Sequence, residues 1–382
     1  MTSKLYQRIR QILESARTGV ARTVNTTQVM ANWLIGREIV LEEQHGKRRA
    51  GYGERLLAKL SVQITAEYGK GYSVNNLEHF RDFFLSYPDL APRSISHAVR
   101  GELATVEKSH AARAKLAINA PIMSAIRYAS RTESWQPGQL HPNLSWTHYR
   151  TLLRVDSPEA RAFYEIEAIR NNWSARELER QINSLLFERL AKSKDKTGLM
   201  KLATKGHEVQ QAVDVFKDPV VIEFLGLPES PRLVKSELEE ALINHLQAFL
   251  LELGKGFAFV SRQERLTIDG DHFYIDLVFY HAILKCYILI DLKIGKLMHQ
   301  DLGQLQLYVN YYDQERRTLG DSPTLGLILC TDKNDAAVRY TLGPDQQQKI
   351  FASRYKLHLP TEAELKTELQ RELKLIERTT EG

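Results

Sequence analysis

The chain has 382 residues, of which 43% are hydrophobic and 26% charged, so it is long enough for two or three globular domains. Its two cysteines are too few for a disulfide framework or a tetrahedral metal site, and no apolar run is long enough to span a bilayer. The net charge of +5 is uneven, because residues 1–200 carry 30 lysines and arginines against 20 acidic residues.

Helical periodicity runs through residues 1–88, which we interpret as an all-helical region. Apolar residues recur every three or four positions from residue 3 to 42, from 56 to 64 and from 77 to 84. Gly69-Lys-Gly71 predicts the end of one helix, and Ser73 predicts the start of the next. Two short helices across a glycine turn resemble a helix-turn-helix, a pattern that also occurs in plain helical bundles.

The periodicity weakens after Pro88 and returns only after Pro142. Residues 89–143 are rich in Ala, Ser, Arg and Pro, and we interpret them as a linker or an insertion. Residues 144–195 are predicted to complete the helical region with three further helices, the third of which is expected to run from Trp173 through Leu186.

The third of these helices carries cations that are candidates for nucleic-acid contact. Ser174 and Glu177 form a capping box at its start. Arg176 and Arg180, and also Arg189, could lie along a phosphate backbone. Arg176 and Arg180 could equally be intrahelical partners of nearby glutamates, and the sequence favours neither interpretation.

Strand patterns dominate residues 219–360. Apolar runs predict strands over 257–260, 273–280, 286–292 and 324–330, and Asp269-Gly270 supplies a hairpin turn. Helices are predicted over 236–251, before the strands, and over 301–312, before the fourth strand. We therefore predict an α+β protein in two parts: an all-helical N-terminal region, then an α/β core with a mixed sheet flanked by helices. Residues 361–382 are expected to form a C-terminal helix or tail.

Charged residues interrupt this apolar core at four informative positions. Asp276 lies within the second strand, while Asp291 ends a very apolar run and Lys293 follows on the same strand face. Glu239 is the one glutamate on the buried side of the preceding helix. Buried strands seldom carry charge unless the charges are paired or bind a metal, so Asp291 and Lys293 are either a buried ion pair or part of a metal site. The neighbouring Asp276 and Glu239 favour the metal site.

The order Glu239, Asp276, Asp291-Leu-Lys293 is similar to that of the PD-(D/E)XK nuclease superfamily. The wider sequence resembles the bacterial YhcG family in Phe249–Phe257, Phe273–His281, Ile290–Gly295, Gly303-Gln304 with Tyr308, Leu144–Tyr149 and Trp173–Gln181. The resemblance implies a restriction-endonuclease-like core and an endonuclease that hydrolyses phosphodiester bonds. It further implies that Glu239, Asp276 and Asp291 bind Mg²⁺, with Mn²⁺ as an alternative ion, and that Asp276, Asp291 and Lys293 are catalytic.

Two glutamines complete the expected site. Gln304 matches a glutamine of the family on the helix after Lys293, and we assign it a contact with substrate phosphate or a metal-bound water. Gln263 lies near the end of the first strand and could approach the same site. The alternatives are an ordinary helix-cap or surface role for Gln304 and an exposed strand end for Gln263.

The partner implied by this assignment is nucleic acid, with DNA favoured over RNA, and a homo-oligomer is compatible with the sequence. One alternative is a non-catalytic DNA-binding or interaction protein with a structural acidic cluster; another is an RNA-directed nuclease. The first ten residues lack the apolar stretch of a signal peptide, so we expect a soluble cytoplasmic protein with no membrane partner.

Overall fold

The computed structural model describes residues 2–18, 24–45, 52–90, 135–191, 196–228 and 233–361. The chain forms two compact units, Met1–Ile182 with Leu199–Gly206, and Asn183–Gly198 with His207–Gly382. Most of the predicted linker, up to residue 134, lies outside the described residues, and so does the predicted C-terminal helix from residue 362 onward. In the described ranges, no helix combines the length and apolarity needed to cross a membrane.

The described part of the first unit is helical, as the sequence predicts. Its helices are α1 (Thr2–Thr18), α2 (Val24–His45), α3 (Tyr52–Tyr68), α4 (Val74–Ser86), α5 (Trp146–Leu152), α6 (Pro158–Arg170) and α7 (Ala175–Asn183). The predicted end of α3 before Gly69 and the predicted start of α4 after Ser73 are confirmed, because the Ser73 side chain accepts a hydrogen bond from the backbone N–H of Asn76. The capping box of α7 is also confirmed, with Ser174 and Glu177 exchanging hydrogen bonds of 2.6 and 3.3 Å.

Helix α2 is the centre of this unit. Every residue from Ala31 to Val40 is buried. Gly36 faces α4 so closely that a Cβ added there would lie 1.8 Å from the carbonyl oxygen of Phe80. A side chain of any size would therefore push α2 and α4 apart, which explains a glycine in the middle of a helix despite its low helix propensity.

The predicted continuation of α7 through Leu186 is wrong. Helix α7 ends at Asn183, and Leu185 has a φ of 53°, a left-handed conformation that α-helices do not contain. A separate short helix, α8 (Leu186–Ala191), begins directly afterwards and belongs to the second unit. Helix α9 (Lys196–Lys205) follows it.

The second unit is built on a six-stranded mixed sheet with strand order β1-β6-β5-β4-β3-β2. The strands are β1 (Val220–Val221), β2 (Phe257–Ile268), β3 (Asp271–His281), β4 (Cys286–Lys296), β5 (Leu325–Asp332) and β6 (Ile350–Lys356). Strands β2, β3 and β4 pair antiparallel, whereas β4, β5, β6 and β1 pair parallel. The four predicted strands and the hairpin turn are confirmed, but β2 extends beyond the predicted 257–260 to Ile268, so Gln263 lies within the strand and not near its end. Strands β1 and β6 were not predicted.

Helices cover both faces of the sheet. One face packs against α10 (Lys235–Asn244) and α11 (Leu246–Leu253) through residues such as Leu242, Phe249 and Ile290. The other packs against α12 (His299–Tyr311) through residues such as Leu289 and Leu305. Helix α13 (Asp335–Thr341) lies between β5 and β6 in the chain. The helix predicted over 236–251 is therefore two helices, separated at His245.

A buried ion pair fixes α8 within the second unit. The guanidinium of Arg189 donates to Glu252 at 2.6 Å, and neither side chain has any exposed surface. The same guanidinium donates to the carbonyl oxygens of Ser184 and Pro219, and the Glu252 carboxylate also accepts from the N–H of Val221. All these charges are thus satisfied by hydrogen bonds, the condition under which a buried pair is tolerated.

Strand β2 lies at one end of the strand order, and it is distorted. Its register with β3 shifts between Phe259 and Ser261, which marks a β-bulge. Two residues later, Gln263 has a φ of 46°, an uncommon value for a residue other than glycine. These two irregularities bend the strand beside the buried carboxylates.

Candidate active site

The site begins where β3 and β4 separate. Regular pairing between the two strands ends at Leu277 and Ile290, one residue short of Asp276 and Asp291. Beyond that point Asp276 replaces the missing strand pairing, since its Oδ2 accepts a 2.7 Å hydrogen bond from the backbone N–H of Leu292. This opening between β3 and β4, which we call the fork, places the carboxylates of Asp276 and Asp291 side by side. Both are almost fully buried.

Helix α10 brings a third carboxylate to the fork. Glu239 is 8% exposed and lies on the same helix face as Leu242, while Glu237 and Glu240 face solvent. The side-chain amide of Gln263 donates to Glu239 Oε2 at 2.6 Å and to Asp276 Oδ1 at 3.2 Å. Gln263, whose backbone is left-handed, therefore joins the carboxylate of Glu239 to that of Asp276 through its side-chain amide.

A lysine that the sequence analysis did not single out joins the two aspartates. The ammonium of Lys235, at the start of α10, lies 2.6 Å from Asp276 Oδ2 and 3.5 Å from Asp291 Oδ1. The two carboxylates therefore contact one cation between them.

Burial and mutual repulsion dominate the electrostatics of the fork. Burial, assisted by the neighbouring Asp276 carboxylate, raises the pKa of Asp291 to about 7. Burial likewise raises the pKa of Glu239. Burial opposes the charge of Lys235, but the attraction of Asp291 and Asp276 outweighs it and raises the pKa of the ammonium. The fork therefore concentrates acidic groups whose charged forms are stabilised by a nearby cation, as Lys235 shows.

Lys293 approaches from β4 but does not pair with Asp291. Its ammonium donates to Asp301 Oδ1 at 2.8 Å, and the other oxygen of Asp301 accepts from the N–H of Met298 at the start of α12. The buried Asp291–Lys293 ion pair considered above is thus not what the structure shows. Helix α12 instead holds Lys293 at the edge of the site, half-buried.

The two glutamines of the expected site lie in different surroundings. Gln263 contacts two of the three carboxylates. Gln304 is exposed on α12, and its amide donates to the hydroxyl of Tyr308, one helical turn later. Tyr308 is buried, and burial raises the pKa of its phenol, to which the charges of Asp291 and Asp276 also contribute. Gln304 thus contacts Tyr308, whereas Gln263 contacts the carboxylates themselves.

The candidate arginines of the helical region divide into three cases. Arg176 is exposed on α7, whereas Arg180 is half-buried and engaged in contacts of its own. The glutamates considered as their intrahelical partners make contacts of their own. The Glu177 carboxylate accepts a hydrogen bond from the N–H of Ser174, and Glu179 pairs with Arg154 at 2.5 Å. The third arginine, Arg189, cannot lie along a phosphate backbone, because it is buried against Glu252.

The three carboxylates do not enclose an ion by themselves. Within the described ranges, no three His, Cys, Asp or Glu side chains are arranged as a metal cage. The donor set nevertheless fits a hard divalent cation, since Mg²⁺ takes only one or two carboxylates and fills its octahedron with water and substrate oxygens. The ammonium of Lys235 shows that both aspartates already turn an oxygen toward one cation.

Two residues of this site, Lys235 and Asp301, were missed in the sequence, whereas Tyr308 appears there only as part of the family motif with Gly303 and Gln304. Lys235 precedes Glu239 by four positions, so the two share one face of α10, and that spacing was the available signal. Asp301 lies in the first turn of its helix, where acidic residues are common as caps, and this ordinary role concealed its contact with Lys293.

Comparison with known proteins gives matches over nearly the whole chain. A family model described as the YhcG PDDEXK nuclease domain matches residues 213–374. A second, described as the DUF1016 N-terminal domain, matches residues 8–106 and 122–189. The chain is 36% identical over 376 residues to YhcG of Escherichia coli (strain K12), a proposed nuclease, covering 98% of this chain and 95% of that protein.

Two solved structures show weaker similarity. One is a repair endonuclease from Pyrococcus abyssi, 14% identical, and the other is an EndoMS-dsDNA2 complex, 13% identical. Each match covers 35% of this chain and 50% of the other, with a TM-score of 0.25. Similarities of this size carry no argument about the chemistry of this chain.

Proposed function

The chain belongs to the YhcG family, with its PDDEXK nuclease domain, and from that premise we propose that it is an endonuclease that hydrolyses DNA with a divalent metal ion. The ion, Mg²⁺ or Mn²⁺, would be held by Glu239, Asp276 and Asp291. One observation carries the proposal. Two nearly buried aspartates, where β3 and β4 separate, both contact the ammonium of Lys235, and a third carboxylate is joined to them through Gln263.

The residues of the fork divide the work of hydrolysis. A bound divalent cation supplies an acidified water and offsets the charge of the phosphate. Asp276 and Asp291 would hold that cation, with Glu239 kept beside them by the Gln263 amide. Lys293, steadied by Asp301, is placed to orient the attacking water or to stabilise charge that develops on the phosphate. Gln304, which lies on α12, is a candidate contact for substrate phosphate.

The test is direct. The full-length protein is incubated with supercoiled, linear, branched and single-stranded DNA and with RNA, each with Mg²⁺, with Mn²⁺ and with a chelator. We expect metal-dependent cleavage of DNA, including closed circles, which only an endonuclease can open. The Asp291→Asn variant, which keeps size and shape but loses charge, should be inactive. Cleavage of RNA alone would instead support an RNA-directed nuclease, while no cleavage by the wild-type protein would favour a non-catalytic binding protein.

We further propose that the helical first unit binds nucleic acid. The surplus of positive charge in residues 1–200 and the exposed position of Arg176 support this proposal. Contacts with phosphate release counter-ions, so binding by the inactive Asp291→Asn protein should weaken steeply as salt increases. Adding Arg176→Glu should lower the affinity and flatten the salt dependence. If both quantities stay unchanged, α7 is not part of the binding surface.

A further inference from the structure

Lys235 stands apart from the rest of the site because of its exposure. Its side chain is 45% exposed, whereas those of Asp276 and Asp291 are 3% and 8% exposed. The lysine therefore reaches from the surface of α10 into the fork, and only its ammonium contacts the two aspartates. Its flexible stem remains in contact with solvent, so the side chain can leave without disturbing the hydrophobic core.

The ammonium lies between the oxygens that a shared metal ion would contact. Lysine offers a compact positive charge with three donors, which suits two nearby carboxylates. A divalent ion needs carboxylate oxygens at about 2.0–2.6 Å and brings its own coordinated waters. An ammonium at 2.6 Å from one of these oxygens and 3.5 Å from the other leaves no room for such an ion. Lysine and metal therefore exclude each other.

We propose that Lys235 is a displaceable counter-ion of the metal site. It keeps Asp276 and Asp291 together while the site holds no metal, and it withdraws toward solvent when a divalent cation binds. This inference rests on the proposed metal dependence of the nuclease. It assigns Lys235 a positioning role that differs from that of Lys293, whose ammonium is held by Asp301 and stays clear of the position between the aspartates.

The proposal predicts a competition that can be measured without any nuclease assay. In the full-length protein, Lys235→Met keeps most of the apolar stem and removes the charge. Isothermal titration calorimetry with Mn²⁺ should show binding tighter by about tenfold, since the metal no longer displaces a charged hydrogen bond. Lys235→Arg, which keeps the cation, should bind Mn²⁺ with near wild-type affinity. The titrations belong at about pH 8, so that protons do not compete for the carboxylates.

A matched control removes an equal charge from the same unit. Lys296 is exposed at the end of β4, and Lys296→Met should change Mn²⁺ affinity by less than about threefold, because exposed charges are screened. Thermal melts in chelator supply a second measurement: Lys235→Met should melt below wild type, and Mn²⁺ should raise its melting temperature by more. A variant that folds only when Mn²⁺ is present would support the proposal in the same way.

The outcomes separate the inference from the function on which it rests. If wild type binds Mn²⁺, Asp291→Asn does not, and Lys235→Met binds no more tightly than wild type, the displaceable counter-ion is refuted and the metal site stands. If neither wild type nor Lys235→Met binds Mn²⁺, the proposed metal dependence fails and the inference fails with it.

Discussion

Lys293 and Lys235 bring the same charge to the fork from different elements. Lys235 contacts the buried aspartates directly, whereas Lys293 is held by Asp301 at the start of α12. An ammonium held by a helix start rather than by the proposed metal ligands would remain in place whether or not a metal binds. This position agrees with the transition-state role proposed above for Lys293.

The Lys293→Ala variant should separate catalysis from binding. Loss of one electrostatic contact of this kind lowers the rate by about 100- to 1000-fold, while Mn²⁺ affinity should stay near wild type because no metal ligand is removed. Single-turnover cleavage and calorimetric titration measure the two quantities. Lys296→Ala, three residues further along the chain, is the control and should cleave normally. Equal losses of cleavage and metal affinity in Lys293→Ala would contradict this role.

Glu165 in the first unit provides a test of pH dependence. It is buried beside Tyr87 and Tyr149, where it accepts a 2.7 Å hydrogen bond from the N–H of Gly138, and burial raises its pKa to about 7. A carboxyl group whose pKa is raised on folding stabilises the folded protein fully only at a pH below its pKa in the unfolded chain, near 4.5. This stabilisation is lost as the pH rises through its pKa in the folded protein. The first unit should therefore lose up to about 3 kcal/mol between pH 4.5 and pH 7.5.

Tryptophan fluorescence isolates this effect, because all four tryptophans lie in the first 182 residues. Urea unfolding followed by fluorescence should show a pH-dependent midpoint in wild type and a much flatter one in Glu165→Gln. Glu159 lies on the same helix and is fully exposed, so Glu159→Gln should keep the wild-type slope. A slope that survives Glu165→Gln would assign the pH dependence to another group.

At the scale of elements, the crossing of α2 and α4 depends on one glycine. Gly36→Ala would place a methyl group against the carbonyl of Phe80, and backbone there cannot move as a flexible side chain would. We expect a loss at or above the upper end of the ~1–3 kcal/mol typical of overpacking. Gly303 in α12 has open space around its Cα, so Gly303→Ala should instead stabilise its helix by ~1 kcal/mol.

The two glycine variants are measured by different signals. Tryptophan fluorescence reports the unfolding of the first unit in Gly36→Ala. The heat of thermal unfolding of the whole chain, measured by calorimetry, reports the stability of the second unit in Gly303→Ala. Opposite signs are the expected result, since the substitution is the same and only its surroundings differ. Similar stabilities for Gly36→Ala and wild type would mean that α2 and α4 are further apart than described.

Some elements could be predicted from sequence and others could not, for identifiable reasons. The fork carboxylates were recognisable because Asp276 and Asp291 interrupt apolar runs, and Glu239 lies on an apolar helix face. Strand β1 has two residues, too few for any periodicity, and β6 mixes polar and apolar residues at its buried positions. The break at Leu185 has no signal in the sequence, since leucine seldom adopts a positive φ.

Contacts distant in sequence were the other limit. Lys235 and Asp291 are 56 positions apart, and a lysine in the first turn of a helix is usually a solvated surface residue. Its role appears only when α10 is placed over the fork. The same holds for Arg189, which looked like one more surface cation of a basic helix until Glu252, 63 positions later, was placed beside it.

At the scale of the whole molecule, the Arg189–Glu252 pair shows that the second unit begins before the matched nuclease region. The matched N-terminal family region ends at residue 189 and the nuclease region starts at residue 213, yet Arg189 is buried within the second unit. Arg189→Ala strands the Glu252 charge and should lower the stability of that unit by about 3–5 kcal/mol. A fragment that starts at residue 207 should be less stable than one that starts at residue 183, for the same reason.

The control for this prediction is an exposed pair of the same chemistry. Arg154 and Glu179 form an ion pair on the surface of the first unit, and Arg154→Ala should cost less than about 1 kcal/mol. Chemical denaturation of both variants, followed by far-ultraviolet circular dichroism, compares the two losses. Equal losses would mean that burial does not decide the strength of these pairs.

The distortion of β2 also bears on how separate molecules meet. Among the described strands β2 pairs only with β3, so its other edge presents backbone groups that a strand from a second molecule could match. The bulge near Ser261 and the left-handed backbone of Gln263 bend that edge and spoil such a match. A straight β2 would turn the Gln263 amide away from Glu239 and at the same time offer a twelve-residue template for aggregation. The same bend in the chain therefore bears both on the geometry of the carboxylates and on how readily the unpaired edge of β2 can accept another strand.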